Sequence, residues 1–218
     1  MEEPSRADLV ARLAGLIAPS RVLRVALDGP DAAGKTRLAA ELARALNRPA
    51  VVATIDGFHR PREDRYRRGS LSPEGYYRDA YDLDAVVAEL LNPLGPHGDR
   101  RYRTAVFDHR TDTAQDLPVR DAPEDAVLLV DGVFLLRPEL RGHWDLSIVV
   151  DVTPGEALRR ALDRDLELFG SAEVVRERYE RRYFPAQRLY RAEADPLGRA
   201  DVVVGNDDPE RPRIRKWP

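Results

Sequence analysis

The stretch GPDAAGKT, residues 29–36, decides the fold of this chain of 218 residues. It fits the pattern G-x-x-x-x-G-K-[ST] through Gly29, Gly34, Lys35 and Thr36. An apolar run typical of a strand, RVLRVALD at 21–28, leads into it, and GKTRLAAELARALN at 34–47 has helical spacing. A glycine turn between a strand and a helix aims backbone N–H groups inward, where they hold phosphate oxygens. The sequence therefore predicts a loop that binds the phosphates of a nucleoside triphosphate.

The residue types in this loop predict separate roles for its members. The only lysines in the chain are Lys35 and Lys216, although Lys and Arg together number 35. A slim point charge fits among phosphates better than a planar guanidinium does. We therefore expect Lys35 to reach the β- and γ-phosphates and Thr36 Oγ1 to bind Mg²⁺. Arg37 is better explained as a solvated helix charge, although we keep it in the nucleotide-binding set, which is Gly29, Asp31, Ala32, Ala33, Gly34, Lys35, Thr36 and Arg37.

Strands and helices alternate outward from the loop. The predicted helices cover 5–17 (ended by Pro19), 34–47, 82–92, 155–168 and 172–193, and the predicted strands cover 21–28, 50–56, 104–108, 126–132, 146–152 and 200–206. This order predicts an α/β fold with a doubly wound, mostly parallel sheet, the P-loop NTPase fold. We expect one domain over 1–218, with a helical lid at about 155–185, a substrate-side insert at about 57–82 and an irregular tail after 206.

Composition narrows the classes of function. The chain has no cysteine, so disulfides and thiolate metal sites are excluded. Its net charge is −3 and its pI is near 5.9, which argues against a nucleic-acid enzyme. The apolar stretch VLLVDGVFLL at 127–136 is too short to span a bilayer. We expect a soluble, cytoplasmic protein with a small-molecule substrate, no membrane partner, and an oligomeric state that the sequence leaves open.

Three aspartates, Asp56, Asp108 and Asp131, fall where predicted strands end, and ligands of open α/β sheets lie beyond the carboxyl ends of their strands. Asp131 closes the apolar strand VLLVD, which is the position of a carboxylate that holds Mg²⁺; a strand-end cap is the alternative. Asp56 fits the base that accepts a hydroxyl proton, and a turn-forming Asp before Gly57 is an equal alternative.

Arg160 and Arg164 lie four residues apart on a predicted helix and share one face. A lid helix with two such arginines can neutralise charge on a transferring phosphate, whereas ordinary pairing with Glu156 or Asp163 is the alternative. No guanine-reading NKxD motif is present, which favours ATP over GTP.

Two further basic segments give weaker evidence of a functional role. The arginines at 176, 178, 181 and 182 alternate with glutamates, which predicts a salt-bridged, solvated helix face. The basic run at 60–68 is interpreted equally well as a substrate contact and as a solvated loop.

Taken in order, several segments resemble uridine kinases, which group with phosphoribulokinase and related small-molecule P-loop kinases. The resemblance covers roughly residues 20–207. The segments that carry it are GPDAAGKT, TIDGFHRP at 54–61, AYDLDA at 80–85, TAVFDHR at 104–110, VDGVFLL at 130–136, RRALDRD at 159–165 and RADVVVGND at 199–207.

The resemblance implies transfer of the ATP γ-phosphoryl group to the 5′-hydroxyl of a ribose, with ATP and Mg²⁺ as cofactors. It assigns Asp56 as the general base, Asp82 to the ribose hydroxyls and Asn206 to the segment near adenine. The implied catalytic residues are Asp56, Lys35, Arg160 and Arg164, and the implied metal ligands are Thr36 and Asp131. The implied substrate-binding residues are Asp56, Phe58, His59, Asp82, Phe107, His109 and Arg110.

Two segments differ from the family pattern where the base is read. Phe107-Asp108-His109-Arg110 is compressed and lacks the usual tyrosine, and His59 replaces another. The leading hypothesis is a nucleoside kinase for a uridine- or cytidine-like 5′-hydroxyl. The alternatives are a P-loop kinase for nicotinamide riboside, pantothenate or a sugar phosphate, and a non-catalytic ATP-binding module.

Overall fold

The computed structural model describes residues 3–18 and 23–218. The predicted helix end at Pro19 and the predicted strand start at Arg21 lie outside these residues. In chain order the strands are β1 (Arg24–Asp28), β2 (Ala50–Thr54), β3 (Arg101–Tyr102), β4 (Phe107–Asp108), β5 (Thr113–Ala114), β6 (Arg120–Asp121), β7 (Val127–Gly132), β8 (Leu146–Asp151), β9 (Val202–Gly205) and β10 (Arg213–Lys216).

The helices connect these strands and cover both faces of the sheet. They are α1 (Arg6–Ile17), α2 (Lys35–Ala45), α3 (Arg62–Arg65), α4 (Leu83–Val86), α5 (Pro154–Arg164), α6 (Leu166–Phe169), α7 (Ala172–Arg178), α8 (Phe184–Ala194) and α9 (Pro196–Arg199). Single 3-10 turns occupy Ile55–Phe58 and Arg141–His143, and π-helical turns occupy Gly75–Asp79, Val87–Leu91 and Tyr179–Tyr183. Among the described residues, no helix is long and apolar enough to cross a membrane.

The main sheet has the order β10-β9-β8-β1-β7-β2 in the described part of the chain. Its neighbours are parallel except for β10, which pairs antiparallel with β9. β1 lies between β7 and β8, so the loop that follows Asp28 leaves the sheet near its centre. The register sets Asp131 of β7 level with Leu27 of β1 and Thr54 of β2. This arrangement brings the carboxyl ends of three strands to one edge.

The two faces of the sheet bury separate apolar clusters. Strands β1, β7 and β8 are buried at every residue, as expected for parallel strands covered on both sides. One cluster packs Leu9 of α1 and Leu38 of α2 against the sheet. The other contains Tyr77, Phe134 and Tyr190. Burying a side chain of this size stabilises the fold by about 1.5–3 kcal/mol.

The predicted α/β fold with a mostly parallel sheet is confirmed, and two local predictions are wrong. The tail is not irregular, because β10 adds an antiparallel edge strand in which Ile214 is buried.

The segment at 104–108 does not join the main sheet. Its last two residues, Phe107 and Asp108, form a small antiparallel ribbon with Thr113 and Ala114, so Asp108 does not lie at the carboxyl edge of the parallel sheet. The extent of the single domain stays a prediction.

A continuous helix runs from Ala172 to Ala194 and joins α7, a π-helical turn and α8. Pro185 lies inside this helix, where it lacks an N–H donor and its ring would clash with the carbonyl of Arg181. The widened turn at Tyr179–Tyr183 precedes the proline, and such turns accommodate a local break in the α-helical bonding pattern. The helix therefore continues through the proline.

Asp28 and Tyr190 connect the end of β1 to α8 inside the core. The Tyr190 hydroxyl donates to Asp28 Oδ2 at 2.5 Å and accepts from the Leu136 N–H at 2.9 Å. The Leu135 N–H donates to Asp28 Oδ1 at 3.2 Å. Burial raises the pKa of Asp28, and the bond from Tyr190 opposes that rise.

Replacing Tyr190 with Phe should lower the free energy of unfolding by about 2–4 kcal/mol, because the buried Asp28 carboxyl and the Leu136 N–H both lose a partner. Equilibrium denaturation measures this loss. Tyr102→Phe is the control, since Tyr102 is also buried but its hydroxyl has no hydrogen bond among the described residues. Equal losses in the two variants would remove the special role of the Tyr190 hydroxyl.

Candidate active site

The phosphate loop keeps the curled backbone that its glycines allow. Gly29 has φ +148°, and a Cβ there would lie 2.1 Å from the Val150 carbonyl oxygen. Gly34 has φ +91°, and a Cβ there would lie 2.9 Å from Asn206 Nδ2. Both positions therefore require glycine for conformation and for space. α2 begins at the next residue, so its N-terminus faces the curl of the loop.

Lys35 is buried within the loop that it follows. Its Nζ donates to the Pro30 carbonyl oxygen at 2.6 Å. Burial lowers the pKa of Lys35, while the carboxylates of Asp31 and Asp131 oppose that change. The ammonium group is thus held in a partly desolvated position among carboxylates, where a charge acts more strongly than in water.

Thr36 and Asp131 form the part of the site with the chemistry of a magnesium ligand set. Thr36 Oγ1 donates to Asp131 Oδ2 at 2.6 Å. Burial raises the pKa of Asp131, whereas the Thr36 bond and the Lys35 charge lower it. A hydroxyl beside a carboxylate fits Mg²⁺, which binds few protein oxygens and keeps water and phosphate oxygens as its other ligands. Among the described residues, no group of three or more His, Asp or Glu side chains could hold a metal by itself.

Asp56 lies beyond the end of β2, in the 3-10 turn at Ile55–Phe58. β7 separates β2 from β1, so Asp131 rather than Asp56 ends the strand next to the phosphate loop. The Asp56 side chain is exposed, and Oδ1 accepts from the Tyr81 hydroxyl at 3.3 Å. One hydrogen bond fixes this carboxylate while leaving it open to a ligand.

Two adjoining cavities meet at Asp56. The phosphate-loop cavity, of about 880 Å³, is lined by the loop residues 31–36, Asp131 and Arg160. The side cavity, of about 540 Å³, is lined by residues of the insert and of α7 with its π-helical turn. The residues that line both cavities are Asp31, Asp56, His109, Arg110, Arg164, Asp165 and Leu168. The structure thus brings Asp56, His109, Arg110 and Arg164 to one boundary.

Asp31 lies at the boundary between the two cavities and has a hydrogen-bond donor that the sequence did not indicate. Its Oδ1 and Oδ2 accept from the Tyr76 hydroxyl at 3.1 and 3.2 Å. Burial raises the pKa of Asp31, and Lys35 and Arg164 oppose the rise. Tyr76 belongs to the insert, so this contact joins the phosphate loop to the wall of the side cavity. No local pattern in the sequence marks a pair that is 45 residues apart.

The rings of His59, Tyr81 and His109 form a cluster of tilted ring contacts in which His59 is central. Its ring centroid lies 4.5 Å from that of Tyr81 and 4.6 Å from that of His109. Burial lowers the pKa of His59 to about 4, against the attraction of the Asp56 carboxylate. His59 Nδ1 lies 2.9 Å from the Asp56 carbonyl oxygen, which only accepts, so Nδ1 donates and Nε2 is left as an acceptor.

The two lid arginines have different surroundings. Arg160 lines the phosphate-loop cavity and pairs with Glu156 through Nε at 2.7 Å. Its Nη1 donates to the Ala32 carbonyl at 3.4 Å, and its Nη2 donates to the Asn206 carbonyl at 2.6 Å. Arg164 pairs with Asp165 through Nε and Oδ1 at 2.6 Å and lines both cavities. Arg160 therefore braces the loop backbone, whereas Arg164 faces the boundary.

Besides Gly29 and Asp82, four predicted ligand contacts are absent from the lining of both cavities. Arg37 pairs with Glu41 and Glu210 on the exposed side of α2, so its place in the nucleotide set is corrected. Buried Asn206 donates Nδ2 to the Ala33 carbonyl at 2.7 Å and supports the loop from behind. The remaining two are buried apolar side chains, Phe58 and Phe107, whose contact with substrate stays a prediction.

Asp82 caps α4 in the structure. Its Oδ1 accepts from the Ala85 N–H at 3.0 Å, and it is not among the residues that line the two cavities. The carboxylate accepts from a backbone N–H of the first helical turn that has no partner within the helix, which is an ordinary structural role for Asp. Its contact with ribose hydroxyls stays a prediction.

The solvated-face prediction for the arginines of α7 and the following π-helical turn is wrong for two of the four. Arg181 does pair with Glu177 on the surface. Arg178 and Arg182 instead line the side cavity, and Arg182 is only 4% exposed.

In the basic run at 60–68, Arg62 and Arg65 also line this cavity, whereas the arginines at 67 and 68 pair with Asp79.

Comparisons with known proteins find similarity to uridine kinases. No family model matches the chain. The uridine kinase of Streptococcus mutans is 24% identical over 184 residues, which cover 83% of this chain and 85% of that protein. The uridine kinase of Streptococcus uberis is 29% identical over 128 residues, which cover 57% of this chain and only 58% of that protein.

A solved structure described as a possible uridine kinase from Bacillus stearothermophilus superposes with a TM-score of 0.68 at 24% identity, covering 91% of this chain and 96% of that one. At this identity the superposition shows the fold. The resemblance to uridine kinase-like P-loop kinases is thereby confirmed, and the chain has the fold of a P-loop kinase.

Proposed function

We propose that this protein is an ATP- and Mg²⁺-dependent kinase that transfers the γ-phosphoryl group to a hydroxyl of a small molecule. The observation that carries the proposal is the position of Asp56. Its exposed carboxylate lies where the phosphate-loop cavity meets the side cavity. A base at such a boundary lies between a phosphate donor on one side and a hydroxyl acceptor on the other.

These residues then have separate roles in a single phosphoryl-transfer step. Asp56 accepts the proton of the acceptor hydroxyl as its oxygen forms a bond to the γ-phosphorus and the bond from that phosphorus to the β-bridging oxygen breaks. Lys35 and the loop N–H groups hold the charge on the phosphates, and Arg164 adds positive charge at the boundary. Thr36 and Asp131 would hold Mg²⁺, which when bound neutralises the charge of the phosphate oxygens.

A nucleoside acceptor is the first candidate, because the named relatives are uridine kinases. The aromatic cluster of His59, Tyr81 and His109 in the lining of the side cavity supports it, since aromatic side chains pack favourably against planar rings. Neutral His59 presents Nε2 as an acceptor for an N–H of such a base. A second candidate is an acceptor with a negative charge, which the arginines of the side cavity favour.

ATP consumption with and without acceptors tests the proposed function. We expect ADP to form only when an acceptor is present, with a phosphorylated product detected by mass spectrometry. The panel contains uridine, cytidine, nicotinamide riboside, pantothenate, ribose 5-phosphate and D-glycerate. ATP hydrolysis that is independent of any acceptor would show an ATPase, and ATP binding without consumption would show a non-catalytic module.

A further inference from the structure

The charges in the side cavity are separated along its length. The carboxylates that line it, Asp31, Asp56 and Asp165, all lie at the boundary shared with the phosphate-loop cavity. The remaining lining contains no carboxylate among the described residues. It does contain four arginines, namely Arg62, Arg65, Arg178 and Arg182. The part of the cavity remote from the phosphate loop is therefore positive, although the whole chain has a net charge of −3.

Arg182 is the most buried cation in this region. Its Nη1 donates to the Ser70 carbonyl at 2.6 Å, and its guanidinium lies 5.0 Å from the Tyr66 ring and 5.1 Å from the Tyr76 ring. It forms no ion pair among the described residues. A buried cation is costly unless an opposite charge or hydrogen bonds compensate it. For Arg182, one carbonyl and two ring faces take the place of an opposite charge.

Arg178 and Arg65 have unused donors in the same wall. Arg178 lies over the Phe169 ring at 4.5 Å, and its buried Nε has no hydrogen-bond partner in the described part of the chain. Arg65 donates Nη2 to Asp112 Oδ1 at 2.9 Å, yet its buried Nε also has no partner there. Neither Nε is satisfied by the protein itself, so both arginines keep hydrogen-bonding capacity beside the cavity.

Arg62 completes the group from the exposed side. Its backbone N–H donates to Asp112 Oδ1 at 2.9 Å, and its side chain forms no ion pair among the described residues. Arg62 and Arg65 come from α3, whereas Arg178 and Arg182 come from α7 and the π-helical turn that follows it. Two separate elements thus direct arginines into one cavity.

We propose that the acceptor is an anionic hydroxyl compound whose carboxylate or phosphate lies among Arg62, Arg178 and Arg182 while its hydroxyl faces Asp56. This inference rests on the proposed kinase function and favours its second acceptor candidate, the anionic one, over the nucleoside. Guanidinium groups bind carboxylate and phosphate oxygens through paired, charge-assisted hydrogen bonds. An anionic group held at the far end would aim the other end of the molecule at the phosphate-loop boundary.

Binding to the full chain saturated with MgADP gives the first test. The probes are two matched pairs, ribose 5-phosphate with ribose and D-glycerate with glycerol, titrated by calorimetry. We expect at least one anionic probe to bind about tenfold or more tightly than its neutral partner, because hydrogen bonds to charged groups are the stronger ones. The probe pair that shows this difference in affinity tells whether the site prefers a phosphate or a carboxylate. If neither anionic probe binds more tightly than its neutral partner, the inference is overturned.

The variants Arg62→Gln and Arg178→Gln test which residues produce this preference. Each should reduce the affinity for the anionic probe by about tenfold and leave ADP affinity unchanged. Arg176→Gln is the matched control, because Arg176 is exposed on the same helix and lines neither cavity. An equal effect of Arg176→Gln and Arg178→Gln would overturn the inference. Arg182 is left unchanged because replacing a buried residue could disturb folding.

Phosphoryl transfer separates failure of this inference from failure of the proposed function. If neutral nucleosides are phosphorylated with a higher kcat/KM than both anionic probes, the kinase function holds and the anionic acceptor is wrong. If ATP binds but no compound of either class is phosphorylated, the proposed function is wrong. In that case the binding titration still decides whether the arginines form an anion site.

Discussion

Replacing Asp56 with Asn should lower the kcat of phosphoryl transfer by about 10²–10⁴-fold, which is the usual contribution of a positioned general base. Asn keeps the size of the side chain and an oxygen that can accept from the Tyr81 hydroxyl, so the turn at Ile55–Phe58 should keep its structure. The Kd for ATP should stay close to that of the unchanged protein, because the phosphates are held by the loop and not by Asp56. Single-turnover kinetics and nucleotide titration measure the two quantities.

Glu63→Gln is the control for the loss of one negative charge near the site. Glu63 is an exposed residue of α3 and lines neither cavity. Its replacement should leave both kcat and ATP affinity unchanged. A kcat for Asp56→Asn that equals that of the unchanged protein would eliminate Asp56 as the base and would leave the boundary between the cavities without a catalytic carboxylate.

Replacing Lys35 with Ala should weaken both steps, because this ammonium group is expected to contact the phosphates in the ground state and in the transition state. We expect ATP affinity to fall by about 10–100-fold and kcat to fall by a further 10²–10³-fold or so. In the structure Nζ bonds to the Pro30 carbonyl, a contact that it can exchange for phosphate oxygens. Nucleotide titration and steady-state kinetics separate the two losses.

Arg37→Gln is the matched comparison for Lys35→Ala. Arg37 lies two residues further along α2, but its guanidinium pairs with Glu41 and Glu210 away from the cavities. Its removal should change neither ATP affinity nor kcat. Undiminished turnover in Lys35→Ala would exclude the lysine from the mechanism, whereas a large loss in Arg37→Gln would show that the phosphate site extends along the helix surface.

Local sequence patterns predicted the centre of the fold because the constraints there are local. The strand, glycine loop and helix at 24–45 follow one another directly, and each residue type is required by a backbone position or by phosphate chemistry. Apolar runs likewise predicted β7 and β8, which are buried on both faces. The pairing of Thr36 with Asp131 could be anticipated, since both fall at the same edge of a parallel sheet.

The side cavity could not be predicted in the same way, because it depends on contacts between distant segments. Arg178 and Arg182 stand in a run of alternating charge that is typical of a solvated helix, and only the packing of that helix against the insert buries Arg182. Tyr76 meets Asp31, and Tyr190 meets Asp28, across long stretches of chain. The tail was predicted to be irregular because an edge strand of four residues leaves little periodicity to detect.

The unbroken helix from Ala172 to Ala194 has a thermodynamic consequence. Arg178 and Arg182 in its first half line the side cavity, and Tyr190 in its second half holds the carboxylate that precedes the phosphate loop. One helix therefore contacts both the side cavity and the residue that precedes the phosphate loop. Any free energy that couples the two ligands must act equally in both directions. The factor by which the acceptor tightens nucleotide binding is therefore the factor by which nucleotide tightens acceptor binding.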